Sequence, residues 1–439
     1  MIRNGTSAIL EAEVTDLSHD GRGVARVDGK VFFLDDALPG ERVRFTRGRR
    51  RRSFDTGKTE TILSPSPDRV VPHCEYFGTC GGCAMQHLNH PAQIAAKQRQ
   101  LQDNLKRLGR VEPERYLPPL TGPVWAYRRK ARLGVRYVPK KGGVLVGFRE
   151  RHHSFITPLE HCAVLVPSVA RLLPALRELL EMISCRDRIP QIEVAQGDNA
   201  TALVFRHLVP LTESDRDRIR SFGQQHSVQV MLQPGGLDSI TPVWPDTPPL
   251  LVYALPDHDV EIIFGVVNFV QVNAAVNEKL VQQALDLLAP RPQERVLDLF
   301  CGVGNFSLPL GRAAGEVLGI EGDRALVQRA CENAAHNRLA NVRFVTADLY
   351  ADELAGAWLQ QRRDKILLDP PRSGALEVVK QLPALSPQRL VYVSCNPATL
   401  ARDAEIVVRQ HGYRFTHAGI IDMFPHTAHV ESMAVFERA

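Results

Sequence analysis

The stretch VLDLFCGVGNFSLPL, residues 296–310, constrains the fold of this chain more than any other. Its first residues are apolar, as in a buried parallel strand, and they lead into a turn that contains Gly302 and Gly304 before a helix begins. Glycines let a backbone approach a ligand closely, and a helix start has unpaired N–H groups. Twenty-three residues after Asp298, the next apolar strand ends in Glu321, whose carboxylate can accept from both ribose hydroxyls of a nucleoside. The stretch therefore predicts an α/β nucleoside-binding domain.

The glycine pattern alone is weak evidence, because a dinucleotide site usually has a third glycine where this chain has Ser307. A nicotinamide cofactor is therefore disfavoured. Two later segments strengthen the case, KILLDPPRSG (365–374) and LVYVSCNPAT (390–399), since each runs from an apolar strand directly into a polar turn with proline. We expect both turns at the edge where open α/β sheets bind ligands.

These three stretches together resemble the uracil-C5 RNA methyltransferase family, and the resemblance extends through most of the chain. It implies a C-terminal Rossmann-like domain, residues 266–439, that binds S-adenosylmethionine (SAM) at the glycine turn. Without the resemblance, Gln271 and Asn273 are equally well explained as helix-capping residues. The cofactor contacts that the resemblance implies are Gln271, Phe300, Asn305, Glu321, Asp348 and Asp369.

Uracil C5 is a poor nucleophile, so its methylation requires a thiolate that adds to C6 and a base that then removes the C5 proton. Cys395 lies between a strand and a predicted helix start, where a thiol pKa can be lowered, and it matches the cysteine of the family's SCNPxT motif. Glu431, in HTAHVE, matches the family's proton-abstracting glutamate. A lone cysteine is more often inert and a charged strand residue more often superficial, so both roles depend on the resemblance. Cys301 and Cys331 are predicted to be packing residues.

Cys74, Cys80 and Cys83 lie within ten residues, with glycines that allow a tight wrap, and they predict a metal-binding loop. Cys162 is the candidate fourth ligand. Four soft thiolates suit an iron–sulfur cluster or tetrahedral zinc, although the paired CxxC of zinc ribbons is missing. The resemblance implies a [4Fe–4S] cluster on these four residues, with unliganded thiols as the third alternative. Four cysteine ligands leave no open iron, which favours a structural or RNA-positioning role.

Residues 1–67 alternate short apolar runs with Gly, Asp and Pro, as small β-barrels do, and HDGRGVARVDGKVFFLDDALPGERV resembles the TRAM module, an OB-like RNA-binding barrel. Residues 42–58 carry a net charge of +7 and residues 128–151 of +8, on a chain whose total is +5. Two basic islands on an otherwise acidic chain predict RNA as partner, although a solvated surface explains either alone. Arg47–Arg52 is predicted to be a flexible phosphate-binding loop.

The predicted fold class is therefore multidomain: an OB-like barrel (1–67), a central α+β domain with the iron–sulfur loop (68–265) and an α/β methyltransferase domain (266–439). No apolar run approaches 18 residues and the N-terminus lacks a signal pattern, which predicts a cytoplasmic protein without a membrane partner. Eight cysteines in a chain of this size do not make a disulfide framework. We expect a monomer, and the sequence implies no protein partner.

The predicted function is SAM-dependent methylation of uridine C5 in 23S ribosomal RNA, because the TRAM barrel with the cysteine loop most resembles the 23S-specific members. A tRNA T-loop uridine or another 23S uridine is an alternative, since target choice lies in the accessory domains. Radical-SAM methylthiotransferases need a Cys-x3-Cys-x2-Cys loop, whereas the first gap here has five residues. A non-catalytic RNA-binding or ribosome-assembly factor has no need for Asp369, Cys395 and Glu431 together.

Overall fold

The computed structural model describes residues 9–351, 354 and 356–439, which form two compact units. The N-terminal residues 1–8, on which the prediction about a signal pattern depends, lie outside the described residues. Across the part that is described, no helix is both long and apolar enough to cross a membrane. The first unit contains residues up to Gln100, Arg149–Thr157 and Phe424–His429, and the second contains Leu101–Phe148, Pro158–Met423 and Val430–Ala439.

The first unit contains a closed five-stranded barrel. Its strands are β1 (Ile9–Leu17), β2 (Gly23–Val27), β3 (Lys30–Asp35), β4 (Arg42–Arg50) and β5 (Phe54–Ser64). They pair in the order β1-β2-β3-β5-β4 and close on themselves. Alternate side chains point inward, as the two-residue period of a strand requires, so Phe32, Leu34, Val43 and Phe45 form the barrel core. The barrel predicted from the alternating runs is therefore present.

The arginine-rich run at 47–52 is not the flexible loop that the sequence predicted. Arg47–Arg50 continue β4, where Arg47 lies opposite Gly57 and Arg50 opposite Asp55. The Asp55 carboxylate is fully buried and accepts from Arg47, so it offsets part of the positive charge and favours an ordered strand. Only residues 51–53 form the turn into β5.

The chain leaves the barrel through residues 65–89, a succession of turns that carries the three clustered cysteines. Helix α1 (His90–Asn104) follows, and its last turn continues as π-helix over Leu105–Gly109. Leu101 and Leu105, four residues apart on one face of the helix, are buried. Leu108, seven residues after Leu101, is exposed because the wider π-helical turn changes the phase of the side chains.

The second unit is built on two large sheets and a two-stranded ribbon. From residue 115 to residue 244 the elements are β6 (Arg115–Tyr116), β7 (Lys130–Val138), β8 (Gly143–Arg149), β9 (Ile156–Pro158), α2 (Pro167–Ala170), α3 (Leu172–Met182), β10 (Gln191–Gln196), β11 (Thr201–Arg206), α4 (Glu213–His226), β12 (Gln229–Gln233) and β13 (Thr241–Trp244). The last residue of β8 and the first two of β9 belong to the first unit. Strands β7 to β13 form a seven-stranded sheet in the order β13-β12-β11-β10-β7-β8-β9.

The remaining elements are β14 (Leu251–Leu255), β15 (Val260–Phe264), α5 (Ala274–Leu288), β16 (Arg295–Leu299), α6 (Ser307–Ala313), β17 (Glu316–Glu321), α7 (Arg324–His336), β18 (Val342–Thr346), β19 (Lys365–Leu368), α8 (Leu376–Lys380), α9 (Leu382–Leu385), β20 (Arg389–Ser394), α10 (Pro397–Glu405), β21 (Tyr413–Ile421) and β22 (Glu431–Arg438). The ribbon pairs β14 with β15, and the second large sheet has the order β18-β17-β16-β19-β20-β22-β21-β6.

The second large sheet has a parallel half and an antiparallel edge. Strands β16 to β20 are parallel neighbours, whereas β22 runs antiparallel to β20 and β21. The residues of β16 and β19 from Val296 to Leu299 and from Ile366 to Leu368 are fully buried, as in parallel sheets covered on both faces. This is the doubly wound sheet that the strand–turn–helix at 296–310 predicts.

Candidate active site

The predicted site residues of the parallel half lie where its strands end. Phe300 follows β16, Glu321 closes β17, Asp348 comes two residues after β18, Asp369 follows β19 and Cys395 follows β20. Because these strands are parallel neighbours, their carboxyl ends share one edge of the sheet. The topology therefore brings together five residues that the sequence separates, at the edge where such sheets bind ligands.

The turn after β16 has a backbone that is strained for a non-glycine residue. Phe300 has φ +65°, in the left-handed region, and its N–H donates to Ile320 O at 2.9 Å. Gly302 and Gly304 also have positive φ, at +55° and +99°. A Cβ built on Gly302 would meet no atom within 4 Å, so that face of the turn is open to an approaching ligand.

Glu321 braces this turn through its carboxylate. It accepts from Gly302 N at 3.1 Å and from Asp323 N at 3.0 Å, one bond to each oxygen. A carboxylate has about four acceptor positions, so capacity remains for the two hydroxyls of a ribose. Asp348 is exposed and accepts from Tyr350 N at 2.9 Å, while the Tyr350 ring lies 5.5 Å from that of Phe300.

Asn305 takes part in a side-chain network that the sequence did not predict. Its Oδ1 accepts from Tyr253 Oη at 2.8 Å and from Asn277 Nδ2 at 2.9 Å. Its Nδ2 donates to Asn277 Oδ1 at 3.0 Å. Because both acceptor positions of Asn305 Oδ1 are used, this amide fixes the glycine turn, and a ligand can reach only its remaining N–H. The sequence offers one indication of this network, because Asn277 is a polar residue on the buried face of α5, between Val276 and Leu280.

Gln271 and Asn273, adjacent in the sequence motif, have different surroundings. Asn273 caps α5 by accepting from Val276 N at 3.4 Å, so the capping interpretation is confirmed for this residue. Gln271 instead lines a small concave site that it shares with Tyr253, Asn277, Glu278, Arg129 and Asp198. Its neighbours therefore include two members of the network that holds Asn305.

Two carboxyl groups near the glycine turn, those of Asp298 on β16 and Asp369 after β19, are buried. Burial, reinforced by the charge of Glu321, raises the pKa of Asp298 to about 7 despite a hydrogen bond from Ser307. Its second oxygen has no hydrogen-bond partner among the described residues. Burial, and then the charges of Glu431 and Asp298, raise the pKa of Asp369 well above its ordinary value. Both groups are therefore largely protonated near or below neutral pH unless a cation binds beside them.

Cys395 occupies a turn that its neighbours hold rigidly. Asn396 Oδ1 caps α10 by accepting from Ala398 N at 3.1 Å, and its Nδ2 donates to Arg372 O at 3.0 Å. Thr399 Oγ1 donates to the same carbonyl at 3.3 Å. The SCNPxT motif thus connects its own turn to the Asp-Pro-Pro-Arg turn after β19, which explains why these polar residues surround the cysteine.

Cys395 and Glu431 adjoin the last pair of the antiparallel ladder between β20 and β22. That pair is Ser394 with Ser432, and Cys395 follows the first of these residues while Glu431 precedes the second. Glu431 is only 9% exposed. Among all described residues, the carboxylates that act most on the thiol are those of Glu431 and Asp369.

The expected lowering of the Cys395 pKa is wrong for the protein without ligands. Burial, followed by the negative charges of Glu431 and Asp369, raises the pKa of this thiol to about 12, and Arg372 opposes the rise only in part. The helix start beside Cys395 does not compensate for burial and two nearby carboxylates. The thiol is therefore protonated at neutral pH until a positive charge arrives or a proton is removed.

The four cysteines predicted as metal ligands are half-buried and form no disulfide. Cys74, Cys80 and Cys83 belong to the first unit, and Cys162 to the second. Gly82 N–H donates to Cys80 Sγ at 3.4 Å, and Cys74 N–H to Gln86 Oε1 at 3.1 Å. No group of three or more His, Cys, Asp or Glu side chains within the described ranges is arranged as a metal site.

The other cysteines do not contribute to the site. Burial raises the pKa of Cys301 well above its ordinary value, which confirms it as a packing residue. Cys331 is exposed on α7, so its predicted packing role is wrong. The helical period of α7 turns this position away from the sheet.

Comparison with known proteins agrees with this fold. Residues 253–439 match the model of the tRNA (Uracil-5-)-methyltransferase family, and residues 7–44 match the TRAM domain. A solved structure, that of Pyrococcus abyssi tRNA (uracil-54, C5)-methyltransferase in complex with S-adenosyl-L-homocysteine, has a TM-score of 0.75 at 23% identity and covers 97% of this chain and 100% of its own. Fold and site thus define an α/β methyltransferase with an N-terminal TRAM barrel.

Two relatives match along nearly their whole length. The 23S rRNA (uracil(1939)-C(5))-methyltransferase RlmD of Xanthomonas axonopodis pv. citri (strain 306) is 53% identical over 432 residues, which are 98% of this chain and 97% of the relative. The protein of the same name from Nitrosococcus oceani is 54% identical over 430 residues, covering 98% and 96%. The chain therefore belongs to the family of 23S rRNA (uracil(1939)-C(5))-methyltransferases.

Proposed function

We propose that this protein transfers a methyl group from SAM to C5 of a uridine in 23S ribosomal RNA. The observation that carries the proposal is that Cys395 and Glu431 adjoin the last pair of the β20–β22 ladder, where the charges of Glu431 and Asp369 act on the Cys395 thiol. A nucleophile and a base near one another are what C5 methylation requires. The full-length relatives named for this reaction support the choice of substrate.

In this mechanism the Cys395 thiol first gives its proton to solvent, and its sulfur then adds to C6 of the uracil. The electron pair of the C5–C6 double bond moves towards C5 and O4, which makes C5 nucleophilic. Bound SAM supplies an electrophilic methyl group and a positive charge. Because opposite charge favours the ionised form of a thiol, binding of a cation next to Cys395 lowers the high pKa of this group. The thiol of the ligand-free protein is thus kept protonated and unreactive.

Glu431 then accepts the proton from C5 after methyl transfer. The electron pair of that C–H bond re-forms the C5–C6 double bond, and the C6–S bond breaks to release Cys395 and 5-methyluridine. Glu431 is almost buried and its charge acts on the Cys395 thiol, which suits a base that acts on the carbon next to the one that sulfur attacks.

The residues of the sheet edge fit SAM as cofactor. The open face at Gly302 leaves room for a ligand against the backbone, and the Glu321 carboxylate has free acceptor capacity for a ribose. Buried Asp369 becomes a carboxylate when a cation binds beside it, as an ammonium or sulfonium group does. We propose Gln271, Phe300, Asn305, Glu321, Asp348 and Asp369 as cofactor contacts, with Asn305 acting mainly on the turn.

We further propose that Cys74, Cys80, Cys83 and Cys162 hold a [4Fe–4S] cluster. Four cysteines outside any disulfide are the donor set of such a cluster, and the backbone N–H aimed at Cys80 Sγ is a typical hydrogen bond to a cluster ligand. The Cys80→Ser variant should lose most of its iron after anaerobic purification, whereas the Cys301→Ser variant should keep it. Colourless wild-type protein, or protein loaded with zinc, would contradict this assignment.

RNA binding is assigned to the barrel at residues 1–67, where Arg49–Arg52 are exposed, and to the basic face of the central domain at residues 68–265. Residues 266–439 carry the chemistry. We propose that the protein acts in the cytoplasm and as a monomer.

The activity is tested with purified 23S ribosomal RNA and SAM labelled in its methyl group. The wild-type protein should transfer the label to a uridine, and the Cys395→Ala variant should transfer none while still binding SAM. A tRNA substrate distinguishes the alternative target. Label in tRNA but not in 23S RNA would overturn the proposed substrate, and no label in either RNA would favour a non-catalytic RNA-binding factor.

A further inference from the structure

The segment Phe424–His429, just before Glu431, is held by a buried glutamine. His426 N–H donates to Gln93 Oε1 at 2.9 Å, and Gln93 Nε2 lies 3.2 Å from His426 Nδ1. Gln93 is 1% exposed and lies on α1 in the same unit as this segment. A buried amide that uses both of its ends fixes its partners more firmly than an exposed one.

The same amide also holds the end of the cysteine loop. Gln93 Nε2 donates to Leu88 O at 2.8 Å and to Met85 O at 3.0 Å. In return, the N–H groups of Ala84 and Met85 donate to His426 O at 2.9 and 3.0 Å. Ala84 directly follows Cys83, so the cysteine loop, α1 and His426 form one hydrogen-bonded assembly.

His426 needs this support because its backbone is strained. Its φ of +64° lies in the left-handed region, which a residue with a side chain rarely adopts. Such conformations persist only where surrounding contacts over-determine them, and they concentrate at functional sites. A second anchor comes from the almost fully buried Lys97, whose Nζ donates to Phe424 O at 3.0 Å.

We propose that Gln93 is a positioning residue for the base Glu431. The proposal rests on the function proposed above. Glu431 begins β22 only five residues after His426, so a fixed His426 limits how far the start of that strand can move. Proton transfer depends on geometry more steeply than binding does, because a misplacement of about 1 Å can reduce a rate roughly 100-fold.

This role predicts a defect in one step of the reaction. Removing the Gln93 amide should leave the addition of Cys395 and the methyl transfer nearly unchanged, since neither uses Glu431 as base. Removal of the C5 proton should slow, so that the covalent link between Cys395 and the methylated uridine persists. A general loss of folding would instead reduce every step together.

The test is a single-turnover reaction of the full-length protein with uridine-containing 23S RNA and labelled SAM. The Gln93→Met variant removes the amide at similar volume, and Gln98→Met, a half-buried glutamine on the same helix, is the matched control. Methyl transfer and the lifetime of the RNA adduct on a denaturing gel are measured together. We expect the Gln93→Met adduct to decay at least about tenfold more slowly than that of wild type, with methyl transfer changed less than about threefold.

Adduct decay at the wild-type rate in a Gln93→Met protein that binds SAM would overturn the inference. If this variant does not fold, Lys97→Met removes the Phe424 anchor instead, and normal decay there overturns the inference equally. Normal adduct decay in these variants leaves the proposed function intact, provided that wild type and Gln98→Met methylate the RNA normally. A wild-type protein that neither methylates RNA nor forms an adduct would overturn both.

Discussion

At the scale of single residues, the proposed mechanism depends on the protonation state of Cys395. A pKa of about 12 means that the thiolate fraction rises tenfold with each pH unit until about pH 12, and is very small at neutral pH. Burial is the main cause of the raised pKa, and the charges of Glu431 and Asp369 raise it further. Because a protonated thiol is less reactive than a thiolate, we expect Cys395 to be alkylated and oxidised slowly in the absence of substrate.

Neutralising Glu431 should make this thiol more reactive. In Glu431→Gln, the negative charge that raises the pKa of Cys395 is lost, so the pKa falls towards its ordinary value while burial keeps part of the rise. Alkylation of Cys395 by iodoacetamide at pH 8, followed by peptide mass spectrometry, should be several-fold faster than in wild type. Glu437→Gln, at the other end of β22, is the control. Equal rates in wild type and Glu431→Gln would contradict the electrostatic account.

Asp298 should make the protein without ligands less stable as pH rises. Its folded-state pKa of about 7 lies above the ordinary value of 3.8. The contribution of Asp298 to the free energy of unfolding is therefore fully present below about pH 4 and is lost as pH rises through about 7. Asp298→Asn removes the charge but can still accept from Ser307. Asp298→Asn should raise the unfolding temperature clearly at pH 8 and much less at pH 5. Asp286→Asn, at an exposed position, should leave the unfolding temperature unchanged at both pH values. A lower unfolding temperature for Asp298→Asn at pH 8 would contradict this.

At the scale of elements, the strand ends could be predicted and the network behind them could not. Apolar runs that stop at Asp369 and Cys395 indicate strands followed by turns, and parallel strands place such turns at one edge. The partners of Asn305 are Tyr253 and Asn277, 52 and 28 residues earlier in the chain, and no local pattern connects them. The strand over Arg47–Arg50 could not be predicted for a similar reason. The buried Asp55 that offsets its positive charge lies on the next strand.

The Asn277 amide should matter for cofactor binding although it only supports the glycine turn. Asn277→Leu removes both of its bonds to Asn305, and a buried polar group left without its partner costs about 1–3 kcal/mol. The affinity for SAM, measured by calorimetry, should fall by about tenfold or more. Gln283→Leu on the same helix should bind SAM as wild type does. Unchanged affinity in Asn277→Leu would show that the turn does not depend on this network.

At the scale of the whole molecule, the chain crosses between its two units more often than the sequence suggests. Residues Phe424–His429 belong to the first unit, although strands of the second unit precede and follow them. The hydrogen bond between His426 and Gln93 joins residues 333 positions apart. The sequence therefore shows HTAHVE as a motif but does not show that Gln93 holds it. The barrel was predictable because its pattern is local and repeats with the period of a strand.

The central claim is that Cys395 forms a bond to the pyrimidine ring, and it can be tested directly with 23S RNA that contains 5-fluorouridine. Fluorine at C5 leaves no proton for Glu431 to remove, so the adduct cannot decompose after methyl transfer. Mass spectrometry of the digested complex should find the methylated fluorouridine on the peptide that contains Cys395, and only when SAM is present. Protein that methylates ordinary 23S RNA but yields no adduct, or an adduct on another residue, would contradict the account.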